Sequence, residues 1–280
     1  MDKIPFVKMN GCGNDFVVVD NRDDKMKDII LSEFVPKVCA RRVSVGADGF
    51  MMVEPSDKAD YRMRYFNADG SEGEMCGNGA RCLSKFAYII GAAGVDMTFE
   101  TMAGIYEAHI LKDGKSVKVK FPSIPLKEVA LNQSGVFKGN EKKYHYATVG
   151  VPHVTLFEDN VSQIDYQSLV SIGRAMRHST EVFPQGTNVN FAQVTDEENV
   201  IIRTYERGVE DETFACGTGS TATAVIAHLL GYVRPPVHMH TRAGALTIHF
   251  RTGKDEIAEV FMEGGAKLVA EGYLLEDSWK

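Results

Sequence analysis

The sequence predicts a mixed α/β (α+β) protein built from two related domains, and three observations carry that reading. A stretch around Cys76, Glu74-Met75-Cys76-Gly77-Asn78-Gly79-Ala80, returns around Cys216 as Phe214-Ala215-Cys216-Gly217-Thr218-Gly219-Ser220. The two cysteines lie 140 positions apart (216 − 76), half of the 280-residue chain. The same offset carries Tyr65 onto Tyr205, Thr101-Met102-Ala103-Gly104 onto Thr241-Arg242-Ala243-Gly244, and Phe121 onto Phe261. A run of matches at one offset is the mark of a duplicated domain. In each half, short apolar strands alternate with helical patterns. Two related halves, each offering one cysteine, suggest a site built where the halves meet.

Taken in order, Phe6-Val7-Lys8-Met9 and Phe16-Val17-Val18-Val19 read as strands flanking the turn Asn10 to Asp15. Asn14 in that turn either meets a ligand or stabilises its own loop. Ile29 to Val43 reads as an amphipathic helix with Pro36 as a break within it. Residues 45–49 turn into the strand Phe50 to Val53, and the strand Tyr61 to Phe66 leads into a loop from Asn67 to Gly73. A helix is expected from Ala80 to Ile90, closed by Gly91, which places Cys76 at a loop-to-helix junction. Strands follow from Val95 to Phe121, and residues 122–143, rich in Pro, Gly and Asn, read as the boundary segment.

The second half repeats the plan. Strand Tyr144 to Val149 and a turn Gly150 to His153 precede a helix carrying Leu169, Ile172, Gly173 and Met176. A loop from Phe183 enters a strand near Phe191, and strand Val200 to Tyr205 runs into the acidic loop Glu206 to Glu212. Cys216 opens an Ala- and Thr-rich helix over 220–230, ended by Gly231, and strands continue through Phe261. The apolar stretch Ala266 to Leu275 is expected to return to the first half. The expected domains are therefore 1–124 with 266–280, carrying Cys76, and 125–265, carrying Cys216.

Composition excludes several classes. With 44% hydrophobic and 25% charged residues and a net charge of −7, the chain looks globular and has no basic run to draw nucleic acid or an anionic membrane. No apolar stretch approaches the ~18–20 residues of a membrane span, and Met1 to Pro5 lacks a signal-peptide pattern, so the cytoplasm is expected. Five cysteines without a CxxC argue against both a disulfide scaffold and a zinc site. No P-loop, strand-borne GxGxxG or HExxH is present, so neither metal nor organic cofactor is expected.

Cys12, Cys39 and Cys82 read as buried small apolar residues, the last lying too deep in its helix for activation. Cys76 and Cys216 differ, because each stands among glycines where a helix begins. Unpaired N–H groups and the helix dipole stabilise a thiolate there and also bind carboxylates. A thiolate on one face of a carbon and a thiol on the other invert a stereocentre without a cofactor. A redox switch joining the two cysteines is the rival chemistry.

Lys8-Met9-Asn10-Gly11-Cys12-Gly13-Asn14-Asp15-Phe16, Asn67-Ala68-Asp69-Gly70-Ser71 with Cys76-Gly77-Asn78-Gly79-Ala80-Arg81-Cys82, Thr187-Asn188, and Tyr205-Glu206-Arg207-Gly208 with Cys216-Gly217-Thr218-Gly219 together resemble the diaminopimelate epimerase family. The resemblance implies a PLP-independent two-base epimerase of LL- and meso-diaminopimelate, on the route to lysine and peptidoglycan. It implies two pseudo-symmetric domains, each a mixed or antiparallel β-roll around a central helix, with the active site in the cleft between them, assembled as a homodimer. By motif, Cys76 and Cys216 are the acid/base thiols. Gly77-Asn78 and Gly217-Thr218 hold the α-carboxylate, while Asn14, Asn67, Asn188, Glu206 and Arg207 contact the remaining amino and carboxylate groups. His153 and Glu206 match positions that tune the thiols; a cationic His153 would favour the thiolate and Glu206 would oppose it unless it binds the substrate ammonium. Three departures stand out: Val151 where many relatives have Asn, Gly49 where some carry a substrate-binding Gln, and Cys12 where Leu or Ala is commoner. A racemase of another amino acid and a non-catalytic ligand-binding relative are the alternatives on the same scaffold.

Overall fold

The computed structural model describes residues 3–280, which form two compact units: the chain up to Lys120 together with Glu263–Lys280, and Phe121–Met262. Both units are mixed α/β.

In the first unit, β1 (Ile4–Gly11) and β2 (Asn14–Asp20) form a hairpin, and α1 (Leu31–Cys39) crosses over to β3 (Gly49–Glu54), which pairs parallel with β2. β4 (Tyr61–Asn67) pairs with β3, the short β5 (Glu72–Gly73) pairs with β4, and α2 (Gly77–Ile89) follows. β6 (Asp96–Thr101), β7 (Gly104–Ile110) and β8 (Ser116–Lys120) complete the sheet, β6 lying parallel to β4. The sheet wraps α2, which packs on β1, β2, β3, β4, β7 and β8. This explains the unbroken apolar run of β2. Val17 and Val19 join Phe34, Val35 and Val38 under α1, while Phe16 and Val18 face the other side, where α2 packs, and all four are buried.

The second unit repeats this arrangement. β9 (Ile124–Pro125), β10 (Val129–Phe137), β11 (Asn140–Val149) and β12 (Val151–Phe157) come first. α3 (Tyr166–Arg177) then crosses to β13 (Asn188–Val194), parallel to β12. β14 (Asn199–Glu206), β15 (Asp211–Thr213), α4 (Gly217–Leu229), β16 (Val237–Thr241), β17 (Gly244–Thr252) and β18 (Glu256–Gly265) follow. α4 packs on β11, β12, β13, β14, β16 and β17. The last strand, β19 (Lys267–Leu274), pairs antiparallel with β1.

Local geometry repeats with the sequence. α2 and α4 are both 13 residues long, and each ends at a left-handed glycine, Gly91 (φ +67°) or Gly231 (φ +79°). In the β6–β7 turn the Thr101 hydroxyl donates to the Gly104 carbonyl at 3.0 Å, and in the β16–β17 turn Thr241 donates to Gly244 at 2.7 Å.

Several expected elements differ. The helix expected over Ile29 to Val43 is only α1, with Pro36 inside it; Pro36 lacks the N–H that would bond Ser32, whose carbonyl instead lies against Gly70. Residues 122–143 are mostly strand rather than a boundary loop. Their Asn132 (φ +54°) sits at an irregularity in the β10–β11 register, and Lys138-Gly139 forms the hairpin turn. Of the expected turn at 150–153 only Gly150 (φ +70°) bends the chain, and Val151 to His153 lie in β12. Both cysteine helices begin three residues earlier than the sequence suggests, so their glycines form the first turn.

Candidate active site

Each cysteine motif folds into the same device within its own unit. Cys76 is the N-cap of α2 (φ −136°, ψ 116°), and its Sγ accepts the Gly79 N–H at 3.4 Å. Cys216 is the N-cap of α4 (φ −119°, ψ 113°), and its Sγ lies 3.6 Å from Thr218 Oγ1. The first bonds back to the cap carbonyls come from Ala80 N–H (2.7 Å) and Ser220 N–H (2.9 Å). The N–H groups of Gly77, Asn78, Gly217 and Thr218 precede these bonds and lie at the positive ends of the two helices. Each site can therefore present a thiol beside anion-binding donors. Cys216 is buried and Cys76 half-buried.

Three of the glycines, Gly79, Gly217 and Gly219, are required by packing. A Cβ on Gly79 would come within 2.8 Å of Met51 Sδ, one on Gly217 within 2.7 Å of Met262 Sδ, and one on Gly219 within 2.5 Å of Asn190 Oδ1. Asn190 cannot yield easily: it is fully buried, its amide donates to the Val154 carbonyl at 3.0 Å, and its Oδ1 accepts from Thr204 Oγ1 at 2.9 Å.

In the first unit the structure brings Asn14, Asn78, Gly77 and Cys76 together. Asn78 Nδ2 donates to Asn14 Oδ1 at 2.6 Å, and Asn14 Nδ2 donates to Asp48 Oδ2 at 3.2 Å. Behind them Asp15 is held by Arg41 (2.5 Å) and Lys8 (2.7 Å). Burial alone would raise its carboxyl, but these cations hold it down at about 2. Asn67 ends β4 and is oriented within its own loop, accepting from Tyr65 Oη at 2.7 Å and donating to Ser71 Oγ at 3.0 Å. Gly49 faces Asn67 across the β3–β4 ladder and has no room for a side chain, because a Cβ would lie 2.7 Å from the Phe66 carbonyl and 2.8 Å from the Tyr65 ring.

In the second unit Asn188 and His153 are register partners on β13 and β12, and Asn188 Oδ1 accepts the Arg207 N–H at 2.7 Å. The Arg207 guanidinium donates to the Gln185 carbonyl at 2.8 Å. Burial pushes the Glu206 carboxyl up from its ordinary value. His153 corrects an expectation. It is fully buried, neither ring nitrogen has a hydrogen-bond partner among the described residues, and burial, aided by Arg207, pulls its pKa down to about 3. It is a neutral imidazole at physiological pH, so it cannot stabilise a thiolate as a cation.

Val151 is half-buried where β12 begins, and Cys12 occupies a left-handed position (φ +54°) in the β1–β2 turn. Sequence reasoning missed Asp48, Tyr65, Arg81 and Asn190. Of these only Tyr65 left a signal, its recurrence as Tyr205 at the common offset.

Among the described residues no group of three or more His, Cys, Asp or Glu side chains is arranged to hold a metal ion. No helix among them is long and apolar enough to cross a membrane.

Residues 6–123 and 145–269 match the family model described as diaminopimelate epimerase. The chain is 41% identical to the diaminopimelate epimerase of Aquifex aeolicus, over 97% of this chain and 98% of that one. It is 44% identical to that of Archaeoglobus fulgidus, over 97% and 96%. Among solved structures, a Bacillus anthracis phenazine biosynthesis protein of the PhzF family superposes with a TM-score of 0.70 at 18% identity, covering 98% of this chain and 100% of that one. A probable proline racemase from Agrobacterium radiobacter gives 0.71 at 14% identity, covering 98% and 93%. These two share the fold.

Proposed function

The chain belongs to the diaminopimelate epimerase family of isomerases, and from that premise we propose that it interconverts LL- and meso-2,6-diaminopimelate by two-base chemistry, without a cofactor. The observation that carries this reading is the duplicated device: a cysteine capping a buried helix in each unit, beside backbone donors. One thiolate takes the α-proton, so that a C–H bond breaks and an S–H bond forms. The carbanion's charge spreads into the α-carboxylate, which the N–H groups of Gly77-Asn78 and Gly217-Thr218 stabilise as it develops. The opposite thiol then returns a proton to the other face, and the stereocentre is inverted. Exchange with solvent protons resets the pair, so the reaction balances without oxidant or reductant.

Asn14, Asn67, Asn188, Glu206 and Arg207 are proposed to bind the remaining amino and carboxylate groups, Arg207 taking a carboxylate through its planar fork. Neutral His153 and Glu206, with its raised pKa, are proposed to tune the thiols. The product would serve lysine and peptidoglycan precursor synthesis in the cytoplasm. A homodimer is proposed on β19, where Leu268, Val269 and Tyr273 are exposed, with Leu275 just beyond it.

The test is turnover of LL-diaminopimelate by Cys76→Ser and Cys216→Ser. Each is expected to lose at least about 100-fold, the scale of removing a general acid or base. Unchanged turnover in both variants would overturn the two-thiol mechanism, and wild-type protein without turnover would leave a ligand-binding relative.

A further inference from the structure

Arg81 is the largest fully buried side chain in the described structure, and it lies one helical turn beyond the proposed carboxylate-binding donors. Its guanidinium donates to Asn78 Oδ1 at 2.8 Å and to the Gly77 carbonyl at 3.3 Å. A guanidinium can only donate, so the Asn78 atom facing it is the amide oxygen. The Asn78 nitrogen must then face Asn14, whose facing atom is an oxygen; the Asn14 nitrogen in turn faces Asp48. A cation at one end and a carboxylate at the other fix the sense of the whole chain, from Arg81 through Asn78 and Asn14 to Asp48. Neither amide can flip without placing two donors or two acceptors face to face.

Backbone closes over the Asn78 end of this chain. A Cβ on Gly11 would lie 2.7 Å from the Asn78 carbonyl and 2.9 Å from Cys82 Sγ, so the β1–β2 turn sits directly on the first turn of α2. The second unit has a neutral counterpart. Thr221, 140 positions after Arg81, donates its hydroxyl to the Gly217 carbonyl at 3.0 Å. Burying a cation is costly, and a threonine meets the same backbone need. Arg81 also reaches Asn78, beyond the kind of backbone bond that Thr221 makes to Gly217.

We propose that Arg81 is a positioning residue for the Cys76 half of the site: it locks Asn78, and through it Asn14, so that the unused amide hydrogen of Asn78 points as a donor toward the substrate α-carboxylate and that of Asn14 toward the group it binds. This rests on the functional reading above, which places that carboxylate at Gly77-Asn78. Arg81 does not touch substrate. It acts through Asn78.

The test uses the full-length protein and the variants Arg81→Met, Arg81→Lys, Asn78→Ala and both double variants. Two readouts are taken: kcat/KM on LL-diaminopimelate, and the ratio of iodoacetate to iodoacetamide alkylation at Cys76 by peptide mass spectrometry. The ratio reports carboxylate recognition beside Cys76 without needing turnover. Arg81→Met is expected to lower kcat/KM by about 10- to 100-fold, the scale of a hydrogen bond to a charged group, mostly through KM. Arg81→Lys, which keeps the charge and fills for Arg81→Met should that variant not fold, is expected to lose less. Both are expected to lower the alkylation ratio, and neither should lower either readout further when Asn78 is already alanine. Losses that add in full to those of Asn78→Ala would overturn the proposal, because Arg81 would then act on the fold at large. Wild-type protein that lacks turnover but shows the Arg81-dependent ratio would sink the substrate assignment and keep Arg81. An unchanged ratio with intact wild-type turnover would do the reverse.

Discussion

Lowering the pH should weaken the fold through one histidine. His153 titrates at about 3 in the folded protein against an ordinary 6.5, with burial the main cause and Arg207 the second. Below 6.5 the unfolded chain therefore binds a proton that the folded protein refuses. The stabilisation from this depressed pKa is fully present above 6.5 and is lost as the pH falls from there toward 3. Each unit of pH in that window is worth about 1.4 kcal/mol, so going from about pH 7.5 to about pH 5 removes about 2 kcal/mol. Urea unfolding of the wild type and of His153→Gln at both pH values isolates this contribution, because the carboxylates titrate in both proteins. The wild type is expected to lose about 2 kcal/mol more than the variant over that interval. Equal losses in the two proteins would refute the neutral, buried imidazole.

Gly49→Gln, which installs the side chain some relatives carry, is expected to cost about 1–3 kcal/mol in urea unfolding by overpacking the Tyr65 ring and the Phe66 carbonyl. A stable, fully active variant would show that the β3–β4 edge yields. Gly219→Ala should displace Asn190 from Thr204 and Val154 and destabilise the second unit by about 2 kcal/mol, despite alanine's better helix propensity. Its thermal melt is the check. Asp15→Asn should remove stability that the wild type holds above pH 3.8 and loses as the pH falls through about 2, so the two acid-unfolding curves should converge at low pH. The homodimer proposed on β19 requires light scattering to give a dimer mass for the wild type and a monomer mass for Tyr273→Glu, and a monomeric wild type would overturn it.

Much of this was legible in the chain because the sequence repeats its constraints. The Cys-Gly-x-Gly pattern marks a cap and a crowded first turn, and the structure gives Gly79, Gly217 and Gly219 each a neighbour that excludes a Cβ. The fully apolar run Phe16 to Val19 signals a strand buried on both faces, and it is one. What escaped reading depended on tertiary partners. Asn132 and Lys138-Gly139 look like linker residues, yet they serve as an irregularity and a turn inside a sheet, because long-range pairing to β11 overrides local turn chemistry. Nothing local to His153 reveals its complete burial, so its charge state cannot be read from the sequence. Arg81 looks like an ordinary charge on a helix, and only the fold shows that it is fully buried and bonded to Asn78.

The central claim is that the two capping thiols exchange and invert an α-proton of diaminopimelate. Its most direct test is incubation of the reduced protein in D2O, without cofactor, with LL- and meso-diaminopimelate among a panel of amino acids. Deuterium is expected to enter at a diaminopimelate α-carbon with inversion. Exchange confined to another amino acid would contradict the substrate and direct attention to Val151 and Gly49, and exchange on none would contradict the chemistry itself.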